Sequence, residues 1–152
     1  MEEYEFFYAD IEADSIFLSR YNVGDFIHAN NGVVASRLKG GLLTNCNVRF
    51  SFVPHPQGFL GYRVEDEDWK NQQLFIFDKD WRFKVEDRFF YDGVFQILMS
   101  HIDWEDFGEK KIIEAARKDF KKLYKQPPVD VLNNVEWKRR VRTVPGVDGK
   151  TS

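Results

Sequence analysis

Apolar and polar residues keep their most regular order between residues 48 and 87. Four short runs of β-branched and aromatic residues lie there, at residues 48–52, 59–64, 74–77 and 81–85. Each run is bounded by Pro, Gly, Asn or Asp, and the first and last alternate strictly between apolar and polar positions. Because the connections are short, neighbouring runs can pair antiparallel. The pattern predicts a four-stranded meander with one buried and one solvated face, the latter carrying residues such as Arg49 and Ser51.

The residues before this stretch predict a strand, a short ambiguous element and a hairpin. Residues 4–8 are typical of an opening strand. Asp14 can cap a helix that begins at Ser15, although residues 15–18 would also serve as a strand. Asn30-Asn31-Gly32 lies between two apolar runs, and Asn-Gly favours a hairpin turn because both turn positions need positive φ. A short helix over residues 33–38 is the alternative there.

After residue 87 the spacing of apolar residues changes to three and four. This period predicts a largely buried helix over residues 88–101 despite Gly93. Asp106 and Glu109 have capping-box spacing for a second, amphipathic helix that ends near residue 125, before Pro127. The predicted fold is therefore α+β, with an antiparallel β-meander sheet of about five to seven strands packed against two C-terminal helices.

With 152 residues the chain can bury ~70% of its unfolded surface, which suffices for one core. We expect a single α+β domain over residues 1–126 and an extended basic C-terminal arm over residues 127–152. The arm could dock on its own domain or on a neighbouring subunit, in which case it would mediate a homo-oligomer. The single cysteine, Cys46, excludes an internal disulfide and fits a reducing compartment. The acidic start and the lack of a ~20-residue apolar run favour a cytoplasmic location.

The net charge of −3 conceals a division along the chain. Residues 1–108 hold ten Lys and Arg against nineteen Asp and Glu, whereas residues 109–152 hold twelve against six. Such asymmetry indicates a partner of complementary charge, although an ordinary domain with a basic outer helix shows it too. With a surplus of aromatics and no catalytic constellation, it favours a small non-enzymatic cytoplasmic protein that binds another macromolecule stoichiometrically, as an inhibitor, immunity protein or adaptor.

Tryptophans embedded among carboxylates are the candidate anchors for that partner, which we expect to be another protein, for example a basic or nucleic-acid-binding one. The predicted partner-binding residues are Trp69, Trp104, Glu65, Asp66, Glu67, Asp103, Glu105 and, from the arm, Trp137.

A nucleic-acid-binding module is the first alternative, because several cations on one surface can neutralise phosphates. A solvated helix face explains the same residues without any ligand. The residues concerned are Arg117, Lys118, Lys121 and Lys122 on the helix and Lys138, Arg139, Arg140 and Arg142 on the arm.

A metal-dependent nuclease is the second alternative. Asp68 and Lys70 form the acid-x-Lys pattern in which the carboxylate binds a metal and the lysine steadies a water, but this spacing is common by accident. The three histidines, His28, His55 and His101, show no metal-ligand spacing, and no Gly-rich phosphate loop is present. The sequence therefore predicts no resident metal and no cofactor.

Overall fold

The structure is a computed structural model that describes residues 5–28, 33–43, 45–53, 62–63, 74–77, 82–101 and 109–127. Eight strands and two helices lie in this part of the chain. The strands are β1 Phe7–Ile11, β2 Phe26–His28, β3 Val33–Ser36, β4 Val48–Val53, β5 Tyr62–Arg63, β6 Leu74–Phe77, β7 Arg82–Tyr91 and β8 Val94–His101, and the helices are α1 Ser15–Leu18 and α2 Glu109–Leu123.

The eight strands form one mixed sheet in the order β2-β7-β8-β4-β1-β3-β6-β5. Strand β4 runs parallel to β8, from Val48 opposite Phe95 to Val53 opposite Ser100, and the other pairs are antiparallel. The predicted antiparallel meander is therefore wrong. Short connections permit neighbouring runs to pair but do not require it, and here β4 pairs with β1 and β8 instead of β5.

The predicted helix over residues 88–101 is also wrong, since these residues belong to β7 and β8. Asp92 and Gly93 both have positive φ, 51° and 86°, and they connect Tyr91 to its partner Val94. Positive φ at both central positions is what a two-residue type I′ hairpin requires. Of the two predicted C-terminal helices, the described residues contain only α2.

The predicted hairpin between β2 and β3 does not exist. Strand β2 pairs with β7 at one edge of the sheet, whereas β3 lies between β1 and β6, so four strands separate them. The Asn30-Asn31-Gly32 turn itself lies outside the described residues, and the alternative helix over residues 33–38 is excluded by β3. For residues 15–18 the helical alternative is correct, because the Oδ1 atom of Asp14 accepts a hydrogen bond from the Phe17 backbone N–H at 2.7 Å.

Both faces of the sheet are covered at its centre. On one face, aromatic rings of β4 and β7 pack against α1 and the turn that follows it. Phe50, for example, contacts Tyr21, with 5.0 Å between the ring centroids. The other face packs against the apolar side of α2, which includes Ala116 and Phe120. All six residues of β4 are buried, so Arg49 and Ser51 do not face solvent as the alternation predicted.

Polar contacts and one irregularity tie α2 to this second face. The Ser51 hydroxyl donates to Gln96 Oε1 at 2.8 Å, and Gln96 Nε2 donates to the Ala116 carbonyl at 3.2 Å. In β7 the register shifts between Val85 and Asp87. Since one extra residue reverses the side-chain alternation, Asp87 and the odd-numbered residues after it point toward α2.

Candidate functional site

The sheet divides at β1 into five-stranded and three-stranded parts. Strand β1 pairs with β4 at five consecutive positions, but among the described residues it meets β3 at one position, where Tyr8 lies opposite Ser36. We call this junction the seam. Points where neighbouring strands diverge can form clefts, and clefts in sheets are common ligand sites.

Beneath the seam, Tyr8 connects the sheet to helix α2. Its hydroxyl donates a hydrogen bond of 2.5 Å to Asp119 Oδ2, and the guanidinium of Arg49 lies 4.6 Å from the centroid of its ring. Burial raises the pKa of Tyr8 well above its ordinary value, and the charge of Asp119 and the hydrogen bond to it raise it further. Tyr8 is thus a neutral donor that fixes the position of α2.

Arg49 and Asp10 form a buried ion pair beside Tyr8. Arg49 Nε donates to Asp10 Oδ1 at 2.8 Å and Nη2 donates to Oδ2 at 2.9 Å, with side chains only 3% and 6% exposed. Burial alone would lower the pKa of Arg49, but the charge of Asp10 and its hydrogen bonds outweigh burial and hold that pKa above its usual value. Both groups are charged and the contact is bidentate, which is the strongest hydrogen-bond geometry available to an arginine and a carboxylate.

The same two side chains hold the loop of residues 37–43. Arg49 also donates to the carbonyls of Gly40 and Gly41, at 3.1 and 3.2 Å, and the backbone N–H of Leu43 donates to Asp10 Oδ2 at 3.3 Å. These bonds use four of the five N–H donors of Arg49 and both oxygens of Asp10, and the side chains are buried, so the cluster positions the loop and is not accessible to a ligand.

Two cations of this loop are exposed next to the seam. Arg37 follows the seam residue Ser36, pairs with Glu5 at 2.7 Å and lies 5.9 Å from the centroid of the Phe7 ring. Its side chain is 40% exposed, and that of Glu5 is 57% exposed. Lys39 is exposed as well. Arg37 and Lys39 are therefore the cations near the seam that a ligand can reach.

On the flank of α2 that faces β7, cations are engaged by the protein itself. Arg117 donates to both carboxylate oxygens of Asp87, at 2.9 and 2.8 Å, and lies 4.7 Å from the centroid of Phe89. Lys121 lies 5.6 Å from the centroid of Phe89 and 5.2 Å from that of Tyr91. All four helix cations predicted to contact nucleic acid are exposed, but only Arg117 and Lys121 make these contacts with the sheet.

The end of α2 is attached to the β7–β8 hairpin. Asp92 Oδ2 accepts hydrogen bonds from the Tyr124 hydroxyl at 2.7 Å and from Lys125 Nζ at 2.9 Å. The hydrogen bonds from Lys125 and Tyr124 lower the pKa of Asp92, and the same contact with Asp92 raises the pKa of Lys125. The arrangement is exposed and anchors the helix end.

All of the remaining predicted site residues lie outside the described part of the chain, so the structure does not test their placement. They are Glu65, Asp66, Glu67, Asp68, Trp69, Lys70, Asp103, Trp104, Glu105, Trp137, Lys138, Arg139, Arg140 and Arg142. The residues that the structure does describe contain no group of three or more His, Cys, Asp or Glu side chains able to hold a metal ion. They include no helix with the length and apolar character of a membrane span.

The sequence did not single out the seam or its buried cluster. Tyr8 and Asp119 are 111 positions apart, and Asp10 and Arg49 are 39 apart, so no local spacing connects them. The available signal is Arg49, a charged residue inside a strongly apolar strand, and the alternation of that strand predicts that it faces solvent, which is the commoner arrangement.

No family model and no curated protein matches the sequence. Solved structures do match the fold. The type III effector XopAI of Xanthomonas axonopodis pv. citri has a TM-score of 0.54 at 17% identity, over 66% of this chain and 42% of that one. The ADP-ribosyltransferase HopU1 of Pseudomonas syringae pv. tomato DC3000 has a TM-score of 0.53 at 14% identity, over 66% and 45%.

A third similar structure carries ligand information. Exoenzyme S of Pseudomonas aeruginosa, in complex with human 14-3-3 protein beta and bound to carba-NAD, has a TM-score of 0.50 at 12% identity, over 75% of this chain and 58% of that one. At such identities the likeness concerns the fold. This chain spans less than half the length of XopAI and of HopU1.

These comparisons correct the functional interpretation of the sequence. The half-barrel sheet has the fold of HopU1, whose name gives it as an ADP-ribosyltransferase, and this finding overturns the hypothesis of a non-enzymatic inhibitor, immunity protein or adaptor. The nucleic-acid-binding and metal-dependent nuclease alternatives are overturned by the same finding. Charge asymmetry and abundant aromatics supported the first hypothesis, clustered cations the second, and the spacing of Asp68 and Lys70 the third, and none of these properties specifies a fold.

Proposed function

We propose that this chain is a domain of an ADP-ribosyltransferase that binds NAD and transfers its ADP-ribose to a protein. One observation carries the proposal: the mixed sheet, divided at β1, has the fold of HopU1, named as an ADP-ribosyltransferase, and of Exoenzyme S, which binds carba-NAD. Fold analogy supplies the reaction class, and the local residues supply the candidate site.

The residues at the seam fit the anionic part of a dinucleotide. Arg37 and Lys39 offer two accessible cations on one loop, and a guanidinium binds a phosphate through two parallel hydrogen bonds. In the free protein Glu5 is the partner of the Arg37 guanidinium, and a bound diphosphate would replace Glu5 as that partner. The buried pair of Asp10 and Arg49 contributes by fixing the loop that carries both cations.

The transfer reaction is a substitution at the ribose. The bond from ribose to nicotinamide breaks, nicotinamide leaves with the bonding electrons as a neutral base, and an acceptor nucleophile forms the new bond and loses its proton. Binding both reactants in one cleft makes this step effectively unimolecular. A protein acceptor is the class that we propose, since 14-3-3 protein is bound to Exoenzyme S in the similar structure.

Two measurements test the proposal. Isothermal titration with carba-NAD measures binding, and incubation with NAD labelled on its adenosine, together with a cell extract, measures transfer to protein. Arg37→Ala combined with Lys39→Ala should weaken carba-NAD binding roughly tenfold or more, because charge-assisted hydrogen bonds are lost. Lys84→Ala is the matched control: it removes a partly exposed cation from β7, which lies four strands from β3 in the sheet.

Absence of both binding and label transfer would reject the proposal. Binding without transfer would keep the dinucleotide site and reject the transferase activity of this chain alone. If the Lys84→Ala control weakened binding as much as the double variant, the assignment to the seam would fail.

A further inference from the structure

The outer edge of β7 is paired over its first part only. Strand β2 lies opposite residues 82–84, and the turn before β2 pairs with Val85 through the Gly24 N–H and the Asp25 carbonyl, at 2.8 and 2.9 Å. Beyond Val85, no backbone group of the described residues pairs with this edge. We call residues 87–91 the open edge.

The hydrogen bonds of the neighbouring strands show which groups the open edge presents. Phe90 lies opposite Phe95, whose backbone N–H points the other way and donates to the Asn47 carbonyl at 3.0 Å. Phe90 and Phe95 are therefore a pair without mutual hydrogen bonds. Because antiparallel pairs alternate, Arg88 opposite Ile97 is another such pair. The backbone N–H and C=O groups of Arg88 and Phe90 thus point outward from the open edge.

Exposed apolar side chains lie beside these outward-pointing groups. Four large apolar residues in the described part of the chain are strongly exposed, and three of them are here: Val23, Phe26 and Phe90, with 62%, 54% and 58% exposure. Val23 and Phe26 flank the turn that pairs with Val85, and Phe90 belongs to the open edge itself. Sheet edges in proteins are usually protected by charges, by prolines or by a covering segment. An unpaired edge beside exposed apolar side chains favours pairing with a further strand.

We propose that two copies of this chain pair through the open edge, with their β7 strands antiparallel about a two-fold axis at Phe89. This register places Arg88 of each copy opposite Phe90 of the other, because these residues carry the outward N–H and C=O groups. Each Arg88–Phe90 pair then exchanges both of its N–H···O bonds. The sheets of the two copies become continuous across the axis.

The side chains favour a second copy over an unrelated peptide. Arg88 and Phe90 both point to the face that carries α1, so in this register the Arg88 guanidinium of one copy lies beside the Phe90 ring of the other. Among the described residues Arg88 forms no ion pair; it lies 5.7 Å from the centroid of Phe95 and contacts Asn22 Oδ1 at 3.4 Å. A guanidinium and an aromatic ring attract each other across neighbouring strands. A two-fold axis supplies this contact twice from one strand sequence.

The ends of the open edge limit the register. At one end Val85 already pairs with the turn before β2, and at the other the chain turns away at Asp92 and Gly93. A shift of the second strand by two residues in either direction would therefore lose one of the two Arg88–Phe90 pairs.

Size and charge both limit the strength of this contact. A strand of five residues offers less surface than the ~1,200–2,000 Å² of a stable interface. On the side of α2, Arg117 and Lys121 lie over the rings of β7, and their like charges on the two copies oppose association. We therefore expect a weak dimer that forms at high protein concentration.

Sedimentation equilibrium of the whole chain tests the dimer at concentrations up to about 1 mM, since small interfaces are typically weak. The wild type should be partly dimeric at the highest concentration. Phe90→Lys should raise the dissociation constant roughly tenfold or more, because a cation replaces the ring beside Arg88 of the other copy. The matched control is Ile16→Lys, which replaces a 73% exposed apolar residue of α1 and should dimerise like the wild type. Circular dichroism checks that both variants are folded.

Cysteine cross-linking tests the register, in a Cys46→Ala background. Phe89→Cys should form a disulfide between copies under mild oxidation, because opposite residues without mutual hydrogen bonds have Cα atoms ~4.5 Å apart, within the range that a disulfide spans. Phe90→Cys should not, because the two cysteines would be offset by two positions, about 8 Å apart.

Several results would overturn the inference. They are a wild type that stays monomeric, a Phe90→Lys variant that dimerises like the wild type, and an Ile16→Lys variant that dimerises as poorly as Phe90→Lys. Phe89→Cys without a cross-link, or Phe90→Cys with an equal one, would overturn it as well. None of these assays contains NAD, so their failure is separate from failure of the proposed function.

Discussion

Replacing Asp10 by alanine should be among the most destabilising single changes in the described part of the chain. The substitution removes the carboxylate that accepts hydrogen bonds from Nε and Nη2 of Arg49 and from the backbone of Leu43. Arg49 would remain, with its side chain 3% exposed, and a guanidinium does not lose its proton in proteins. The folded state would then contain a buried cation without its counterion.

The expected cost follows from this geometry. Breaking a buried ion pair by removing one partner costs about 3–5 kcal/mol, because the desolvation of the remaining charge is no longer offset. Total stabilities of single domains are about 5–15 kcal/mol, so the variant should lose a large share of its stability. Replacing both partners, with Asp10→Leu and Arg49→Met, removes the charge problem and should cost less than Asp10→Ala alone, although Leu43 and the loop carbonyls still lose partners.

Urea denaturation followed by circular dichroism measures these free energies of unfolding. The control is Glu5→Ala, which removes the carboxylate of the exposed pair with Arg37 and should cost at most ~1 kcal/mol. A cost of Asp10→Ala no larger than that of Glu5→Ala would refute the reasoning. A double variant less stable than Asp10→Ala would also refute it, because the attraction within the ion pair would then exceed the cost of desolvating its two charges.

Three further predictions concern the tyrosine and glycines of the fold. The free energy of unfolding should fall as pH rises through about 10, because the pKa of Tyr8 is raised in the folded protein and the unfolded chain loses the Tyr8 proton at lower pH. In urea titrations at about pH 8 to 11, Tyr8→Phe should lack the part of this fall that is due to Tyr8. Gly41→Ala should cost about 1–3 kcal/mol in the same assay, because its methyl group would overlap the carbonyl of Gln126, and an unchanged midpoint would contradict that contact. Gly93→Ala should cost about 1 kcal/mol through its positive φ alone, since nothing crowds the position, and stabilisation of the hairpin would contradict this reason.

The sequence predicts the strands of this fold better than it predicts their partners. The runs at residues 48–52 and 74–77 correspond closely to β4 and β6, and the run at 81–85 covers the first four residues of β7, because β-branched and aromatic composition is a local property. Pairing depends on residues far apart in sequence. Strands β4 and β8, which pair parallel, are separated in the sequence by β5, β6 and β7, and no local rule selects their pairing.

The error over residues 88–101 has a definite physical cause. Residues 96–100 of β8 are buried, with the aromatic core on one side and α2 on the other, so apolar residues occur there at odd and even positions alike. A strand buried on both faces loses its period of two and can imitate a buried helix. Asp92-Gly93 is the signal that distinguishes them, because Asp-Gly between apolar runs favours a hairpin turn.

The buried cluster of Asp10 and Arg49 could not be predicted for a related reason. Alternation in β4 indicates two faces, but whether the polar face meets water depends on α2 and the loop of residues 37–43, which the strand sequence does not encode. A buried charge is rare unless it is paired, and its partner here comes from another strand. Only the three-dimensional fold brings the two together.

The polar contacts beneath α2 determine which of its residues point outward. A helix held by apolar packing alone can rotate about its axis with modest cost, since hydrophobic burial has no preferred direction. Here Asp119 accepts a hydrogen bond from the sheet, the Ala116 carbonyl accepts one from Gln96, and Arg117 binds both oxygens of Asp87. These directional contacts fix the rotation of the helix. The Tyr8 ring, whose hydroxyl reaches Asp119, also lies 4.6 Å from the Arg49 guanidinium that holds the loop of residues 37–43, so helix rotation and loop position are set by neighbouring buried groups on one face of the sheet.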